Sequence, residues 1–432
     1  MKICVVAYKF GTEKEIGQHL GTYHYFIEIL RQLVVAGHEV TVIAPWLSFK
    51  NKGSEDVWGI KVSRYYPPLW NKIWAWPINR LLRFWYIKAT QNKVIKHVKQ
   101  AQPQVIIVWQ ARETGYALAQ IKDKLNVPLI FRQITTWQWH FKRSAAEVFG
   151  KSNWYNFFKN FGLDKLVDIG LEFLLDKKTQ KKYAEKIYQQ FDKIAFVSKI
   201  ASQEGITMGL PESKVSILPV CIETEVFRPL NQKVELRQKL GLSNLETILF
   251  IGRINFAEKG IGHLVQALPE VISAVPNVQL VIIGAGGEYQ RLTKLIADLK
   301  ISEHIVLAGK KPFDQLVEYI NAGDVFVMPS LWLETFGQVT IEAMACAVPV
   351  ITFDTGASPE INIDNQTGLI VKEKTPAALA QAIIKLLKDN NLSKDLGSKA
   401  RQRVLDNYTY QVVVNDLLAI IKQTENGKRK DN

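Results

Sequence analysis

Glu334 and Glu342 stand with seven residues between them in Ser330-Leu-Trp-Leu-Glu334-Thr-Phe336-Gly337-Gln338-Val339-Thr-Ile-Glu342-Ala-Met-Ala345. Carboxylates accept hydrogen bonds from hydroxyls, so two of them on one short stretch can grip a polyol. Gly337 lets backbone N–H groups at a helix start come close to an anion. Together these residue types suit a phosphate-linked, hydroxyl-rich ligand such as a nucleotide sugar. Glu342 sits among Ile341, Ala343, Met344 and Ala345, which predicts burial, and a buried carboxylate is costly without a partner. Taken singly, Glu334 also reads as a solvated loop acid, and Glu342 as a capping or salt-bridged helix acid.

The surrounding pattern positions both acids. Asp324 to Pro329 reads as a buried strand and Val348 to Phe353 as another, which makes a strand–loop–helix–strand unit. Its loop falls at the carboxyl end of a strand, where open α/β sheets place ligands. Upstream the same alternation recurs: strand 248–251, helix 261–274, strand 279–283, helix 289–299, strand 305–307, helix 313–322 and strand 325–327. The loop after the first of these strands carries Gly252, Arg253 and Lys259, two cations suited to a diphosphate. The next carries Gly284 and Gly286, which permit close backbone approach. The third carries Gly309, Lys310 and Lys311. Each loop is weak alone; four in succession with ligand-like features argue for one site.

A chain of 432 residues predicts two or three domains. A hydrophobic content of 47% with a mean hydropathy of -0.03 describes a soluble globular class, and no apolar run spans a bilayer. The N-terminus enters a strand at Lys2 without a signal-peptide pattern. Cys4, Cys221 and Cys346 lack metal-ligand spacing and read as small buried side chains, which fits a cytoplasmic, reducing compartment. The net charge of +14 attracts anionic lipid, nucleic acid or anionic substrates, unless it reflects a basic proteome. No nucleic-acid recognition motif accompanies it, so nucleic acid is not an expected partner. Ten of the 11 tryptophans lie before residue 155, in the company of lysine and arginine.

That first half opens with a strand at 2–7, a polar loop from Gly11 to Gly21, a helix ending at Gly37 and a strand at 40–44. Further strands are expected at 105–109, 128–131 and 193–197, the last closing the first sheet, with a helix from Thr114 to Leu125 and Ser198 as an N-cap. Tyr65 to Pro77 reads as a proline-broken aromatic loop. The helix expected over 78–97 carries Arg80, Arg83, Lys88, Lys93 and Lys96 beside Phe84, Trp85 and Tyr86. It fits two roles, a membrane-surface segment or an ordinary helix with its aromatics in the core. The segment 137–190 is a second membrane- or acceptor-binding candidate. Residues 220–245 read as a linker, 412–421 as an amphipathic helix and 426–432 as a disordered tail.

These residues resemble the retaining glycosyltransferases of family 4, the glycosyl transferases group 1. The likeness covers nearly the whole chain and is strongest from about 192 to 425. It rests on Glu334 and Glu342 with Phe336-Gly337, on Pro349-Val-Ile and on Gly356-Ala-Ser-Pro-Glu360. Asp192 to Ser198, Val215 to Pro219, Glu223 to Pro229 and Gly37-His-Glu-Val40 add to it. The resemblance implies an α/β GT-B architecture, two Rossmann-like doubly wound domains facing a cleft. Residues 1–225 would bind the acceptor and 226–407 the nucleotide-sugar donor, with a C-terminal helix over 408–425 crossing back to the first domain. Arg253 and Lys259 would bind the donor diphosphate, and backbone amides from Phe336 to Val339 phosphate and sugar. Glu334 would contact sugar hydroxyls, Glu342 ribose hydroxyls, and Lys310 and Lys311 would flank the base. Such enzymes use a UDP- or GDP-sugar as co-substrate, with no resident cofactor and no metal.

Three departures fall on the acceptor side. The family's Gly-Gly near the first loop is Leu20-Gly21, with Gly17 nearby, and its Asn-Gly after the linker proline is Val220-Cys221. The family's first-domain histidine has no counterpart between Pro128 and Trp137, leaving Arg132, Gln133 or His140 as substitutes; His19 and His24 read as structural. The expected function is hexose transfer to a lipid-linked or amphipathic acceptor by a protein peripheral on the inner face of the cytoplasmic membrane. The alternatives are a soluble synthase of a small, sucrose-type glycoside and a degenerate nucleotide-sugar-binding protein.

Overall fold

The computed structural model describes residues 1–8, 10, 24–46, 54–66, 82–109, 112–137 and 177–430. Two compact units divide the chain: residues 1–218 with 414–432, and residues 219–413. The Gly11–Gly21 loop with Gly17, His19 and Gly21, most of the 65–77 aromatic loop, Arg80, and His140 with most of 137–190 lie outside the described residues.

Unit one is built on eight strands: β1 (Lys2–Ala7), β2 (Glu39–Pro45), β3 (Ser54–Val57), β4 (Ile60–Tyr65), β5 (Val105–Trp109), β6 (Leu129–Gln133), β7 (Lys193–Phe196) and β8 (Val215–Ile217). They lie in the order β3-β4-β2-β1-β5-β6-β7-β8, and only β3 runs antiparallel to its neighbour. The central strands are apolar runs such as Val105-Ile-Ile-Val-Trp109, buried along their whole length. Burial of both side-chain directions requires cover on both sheet faces, as parallel sheets demand. The cover includes α1 (His24–Val35), α2 (Arg83–Ala101), α3 (Arg112–Ala119), α4 (Lys122–Leu125), α5 (Lys177–Gln190) and α6 (Lys199–Thr207). Ser198 caps α6, its Oγ accepting from the Ala201 N–H at 3.2 Å.

Several expectations need correction here. The sheet does not end at β7: β8 adds one more strand beside it. Tyr65, read as the start of the aromatic loop, instead ends a strand, β4, paired with β2 from Thr41 opposite Lys61 onward. The helix expected over 114–125 is two helices, α3 and α4, separated by Gln120 and Ile121.

Unit two carries β9 (Glu246–Ile251), β10 (Val278–Ile283), β11 (Ile305–Gly309), β12 (Val325–Met328), β13 (Val350–Phe353) and β14 (Gly368–Val371). Their order is β11-β10-β9-β12-β13-β14, with every pair parallel. The helices are α7 (Lys233–Lys239), α8 (Phe256–Lys259), α9 (Ile261–Ala274), α10 (Tyr289–Asp298), α11 (Phe313–Ala322), α12 (Gln338–Ala345), α13 (Ser358–Ile361), α14 (Pro376–Lys388), α15 (Asn390–Asn407) and α16 (Tyr410–Lys430). From Val414 onward α16 belongs to unit one. It continues to Lys430, so most of the expected disordered tail is helical. Cys4, Cys221 and Cys346 are buried free thiols. Among the described residues no helix is long and apolar enough to cross a membrane.

Each sheet reverses its winding once. In unit two the reversal falls between β9 and β12, and in unit one between β1 and β5. Such switch points open a crevice at the carboxyl ends of the strands.

Candidate functional site

The loops leaving β9 and β12 run side by side at the switch point of unit two. Asn255 starts the short helix α8, its Oδ1 accepting from the Glu258 N–H at 2.8 Å. This turn places Lys259 beside the β12 loop, where its ammonium forms an ion pair with Oε1 of Glu334. Ser330 donates its hydroxyl to the same carboxylate oxygen at 2.9 Å, which leaves Oε2 for a further donor. Arg253 projects into solvent, and its Nη2 donates to Glu258 Oε2 at 2.6 Å. The Glu258 carbonyl accepts from the backbone N–H groups of Leu331 and Trp332 at 3.0 and 3.2 Å. Two loops 75 residues apart in sequence are thus tied by backbone and by charge.

Beyond Glu334 the chain turns at Gly337 and enters α12. Gly337 has φ +100°, in the left-handed region, and no side chain caps the helix. Thr340 N–H turns back to the Gly337 carbonyl at 3.0 Å, while no side chain caps the N–H groups ahead of it, the arrangement that receives anions. Phe336 is buried, with its ring edge-on to Tyr408 at 5.6 Å between centroids. The Glu334 carbonyl accepts from Ala357 N–H at 2.8 Å, which holds the acid from below.

One turn into α12, Glu342 is 3% exposed. Gln338 Nε2 donates to its Oε1 at 3.1 Å, while Oε2 has no partner among the described residues. Burial pushes the carboxyl up to about 8, with the Gln338 hydrogen bond pulling the other way. A buried carboxyl oxygen left unpaired is a group that waits for a donor.

The neighbouring loops extend the edge. A Cβ on Gly284 would fall 1.8 Å from the Gly252 carbonyl oxygen, and one on Gly286 would fall 2.2 Å from that of Ile254. The β9 and β10 loops are therefore pressed backbone to backbone. Lys310 is exposed after β11, and Lys311 Nζ lies 5.3 Å from the Tyr319 ring centre. At about 4.8 Å per strand, the β11 loop stands roughly 10 Å along the edge from that of β9. Neither lysine is joined to the Lys259–Glu334 pair by a hydrogen bond or ion pair among the described residues.

On the acceptor side, Gly17, Gly21 and His140 lie outside the described residues. Arg132 is 1% exposed on β6; its Nη1 donates to the Ala195 carbonyl at 3.3 Å, and its guanidinium lies over Trp109. Gln133 accepts from Tyr188 OH at 2.9 Å and from Trp137 Nε1 at 3.2 Å. It donates to Glu204 at 3.3 Å. Both side chains are engaged with the interior of unit one.

Sequence reasoning missed Ser330, Asn255, Glu258 and Tyr408. Ser330 stands four residues before Glu334, and Asn255 stands three before Glu258 as an N-cap should. Tyr408 carried no local signal, because its contact with Phe336 spans the unit. Among the described residues no group of three or more His, Cys, Asp or Glu side chains could hold a metal ion. Side by side, the arrangement presents two cations and a bare helix start next to two carboxylates. It can hold an anion at one end and hydroxyls at the other.

Comparison with known proteins adds to this geometry. Residues 21–226 match the family described as Glycosyltransferase Family 4, and residues 232–403 match Glycosyl transferases group 1. A GDP-mannose-dependent alpha-(1-6)-phosphatidylinositol monomannoside mannosyltransferase of Mycolicibacterium smegmatis is 30% identical over 52% of this chain, and the match spans 61% of that protein's length. The N-acetyl-alpha-D-glucosaminyl L-malate synthase of Bacillus anthracis is 24% identical over 99% of both chains. In fold, a sucrose-phosphate synthase from Thermosynechococcus elongatus superposes with a TM-score of 0.71 at 18% identity, covering 98% of each chain. The architecture is GT-B.

Proposed function

The chain belongs to glycosyltransferase family 4, the glycosyl transferases group 1, and from that premise we propose that it moves a hexose from a nucleoside-diphosphate sugar to an acceptor hydroxyl with retention. Unit two takes the donor and unit one the acceptor. The observation that carries the reading is the meeting of Lys259, Glu334 and the uncapped start of α12 at one switch point. Lys259 and Arg253 face the diphosphate, and the amides from Phe336 to Val339 add hydrogen bonds to phosphate and sugar. Glu334 takes sugar hydroxyls through its free oxygen, and Glu342 takes ribose hydroxyls through Oε2. Lys310 and Lys311, two strands away, flank the base. Gly284 and Gly286 let the β10 loop close against Gly252 and Ile254, which holds the loop carrying Arg253 and Lys259 in place for the donor.

In the transfer, the bond between the anomeric carbon and the diphosphate oxygen breaks with its electron pair on the phosphate. The acceptor oxygen bonds to that carbon from the same face, and its proton passes to the departing diphosphate. The charge that develops on the leaving group is met by Lys259, Arg253 and the helix start, which are in place before reaction.

A lipid-linked acceptor at a membrane surface is favoured by the basic, aromatic character of unit one and by the phosphatidylinositol mannoside named in one relative. A small soluble acceptor is the second reading, favoured by the full-length relative named for glucosaminyl malate synthesis. A panel of UDP- and GDP-sugars, read first by thermal shift and then by donor turnover, tests the assignment. Glu334→Ala and Lys259→Ala should each lower turnover by about 10²–10³. Unchanged turnover in both overturns the site, and donor binding without any turnover in the unaltered protein points to a nucleotide-sugar-binding protein.

A further inference from the structure

Helix α2 is a basic helix with two large aromatic rings turned outward. Phe84 is 66% exposed and Trp85 61% exposed. The helix has five lysines and arginines, Arg83, Lys88, Lys93, Lys96 and Lys99, and no acidic residue. At 100° per residue, Phe84, Lys88, Lys99, Trp85 and Lys96 fall within one arc of about 120°. Its buried residues, Tyr86, Ile87, Thr90, Gln91 and Val94, take the opposite arc.

Tyr86 fixes where this face points. Its hydroxyl hydrogen-bonds to Thr114 Oγ1 at 2.6 Å, and its ring meets Tyr8 at 5.5 Å and Tyr65 at 5.9 Å. Tyr8 follows β1 and Tyr65 ends β4, so the start of α2 lies at the carboxyl edge of the first sheet. The other end of the helix reaches the amino edge, where Lys2 Nζ donates to the Ala101 carbonyl at 3.2 Å. The exposed rings therefore sit at the edge of unit one that holds its switch point.

We propose that α2 docks the protein flat on an anionic lipid bilayer, with Phe84 and Trp85 seated at the headgroup–acyl boundary and Lys88, Lys96 and Lys99 against the headgroups. Charge complementarity selects this occupant: unit one has 36 basic and 20 acidic residues, while unit two has 19 and 21. An exposed aromatic pair on a helix of one charge sign fits an interface that is apolar below and anionic above. The inference rests on the membrane reading of the acceptor. Vesicle binding is measured without nucleotide sugar, so its failure and a failure of the transferase reading are seen separately.

The full chain is floated with vesicles of phosphatidylcholine and 30% phosphatidylglycerol, and with phosphatidylcholine alone, at about 50 and 500 mM NaCl. It should float with the anionic vesicles at low salt and lose at least tenfold in partitioning at high salt or on neutral vesicles. Phe84→Ser/Trp85→Ser should lose at least tenfold on anionic vesicles at low salt, with its fold checked by circular dichroism. If that variant does not fold, Lys88→Glu/Lys96→Glu, at two exposed positions, tests the same surface and should show the same loss. No flotation of the unaltered protein at low salt overturns the proposal, and so does a folded variant that floats as well as it does. A concentration-dependent dimer in place of flotation, lost in the serine variant, makes this face a protein interface and overturns it too.

Discussion

Glu342 shows most sharply what a single residue can report. Its burial pushes the carboxyl up to about 8, so at neutral pH the free protein holds it mostly protonated. Hydroxyls that donate to Oε2 favour the ionised form. Donor binding should then release a proton, and donor affinity should rise with pH up to about 8 and level off above it. Titration calorimetry in buffers of different ionisation enthalpy checks the proton release, and Glu342→Gln should abolish both the release and the pH dependence. Stability moves the other way. An unfolded glutamate ionises near its ordinary value, about 4.3, so between there and 8 the unfolded chain binds fewer protons than the folded one. This group's share of stability is therefore lost as pH rises through that window, by on the order of a few kcal/mol. Thermal melts at pH 5 and 8.5 should show that loss in the unaltered protein and a smaller one in Glu342→Gln.

Among the elements, the βα loops of unit two are held by close backbone approach as much as by side chains. Gly252 N–H donates to the Ile283 carbonyl at 2.9 Å, and Gly284 N–H to that of Gly309 at 2.9 Å, so pairing continues past the strand ends into the site. Gly284, at φ +151°, has no room for a methyl group. Gly284→Ala should cost about 3 kcal/mol through overpacking and strain and weaken donor binding with it. Gly337→Ala is the contrast: φ is +100°, but its Cβ would meet nothing closer than 3.5 Å. Only the backbone cost of about 1–2 kcal/mol applies. Chemical denaturation of both variants, with donor affinity measured beside it, separates the two mechanisms. The same loops explain how much was legible beforehand. From β9 to β12, apolar strands alternate with amphipathic helices, and α9 and α11 fall on the residues their periodicity predicted. Strands β4 and β8 were not legible. In β4, Lys61 and Ser63 alternate with buried Ile60 and Val62 only until buried Arg64 breaks the pattern, and β8 is three half-buried residues at a sheet edge, so both patterns are too short to define a strand without its pairing. The paired acids and the Arg253–Lys259 loop could be singled out because four successive βα loops carry glycine or charge, although each loop alone is a weak signal. Ser330 and Glu258 could not, since their partners are set by the packing of one loop on another.

Over the whole molecule, charge and chemistry are separated. The net excess of +14 comes from unit one, while unit two has 19 basic and 21 acidic residues, with Arg253 and Lys259 at the proposed donor site. These two populations should respond differently to salt. Exposed lysines acting on a surface are screened over a Debye length, which falls from about 10 Å at 0.1 M to about 3 Å at 1 M. A cation such as Lys259, whose side chain is 20% exposed and paired with Glu334, is screened much less. Transfer to an acceptor embedded in anionic vesicles should therefore fall about tenfold or more between 50 and 500 mM NaCl, while donor hydrolysis in the absence of vesicles should change less than about threefold. A parallel fall in both would mean that the excess charge of unit one serves the donor. A salt-independent transfer would mean that it serves neither, and the small soluble acceptor would then become the better account of unit one.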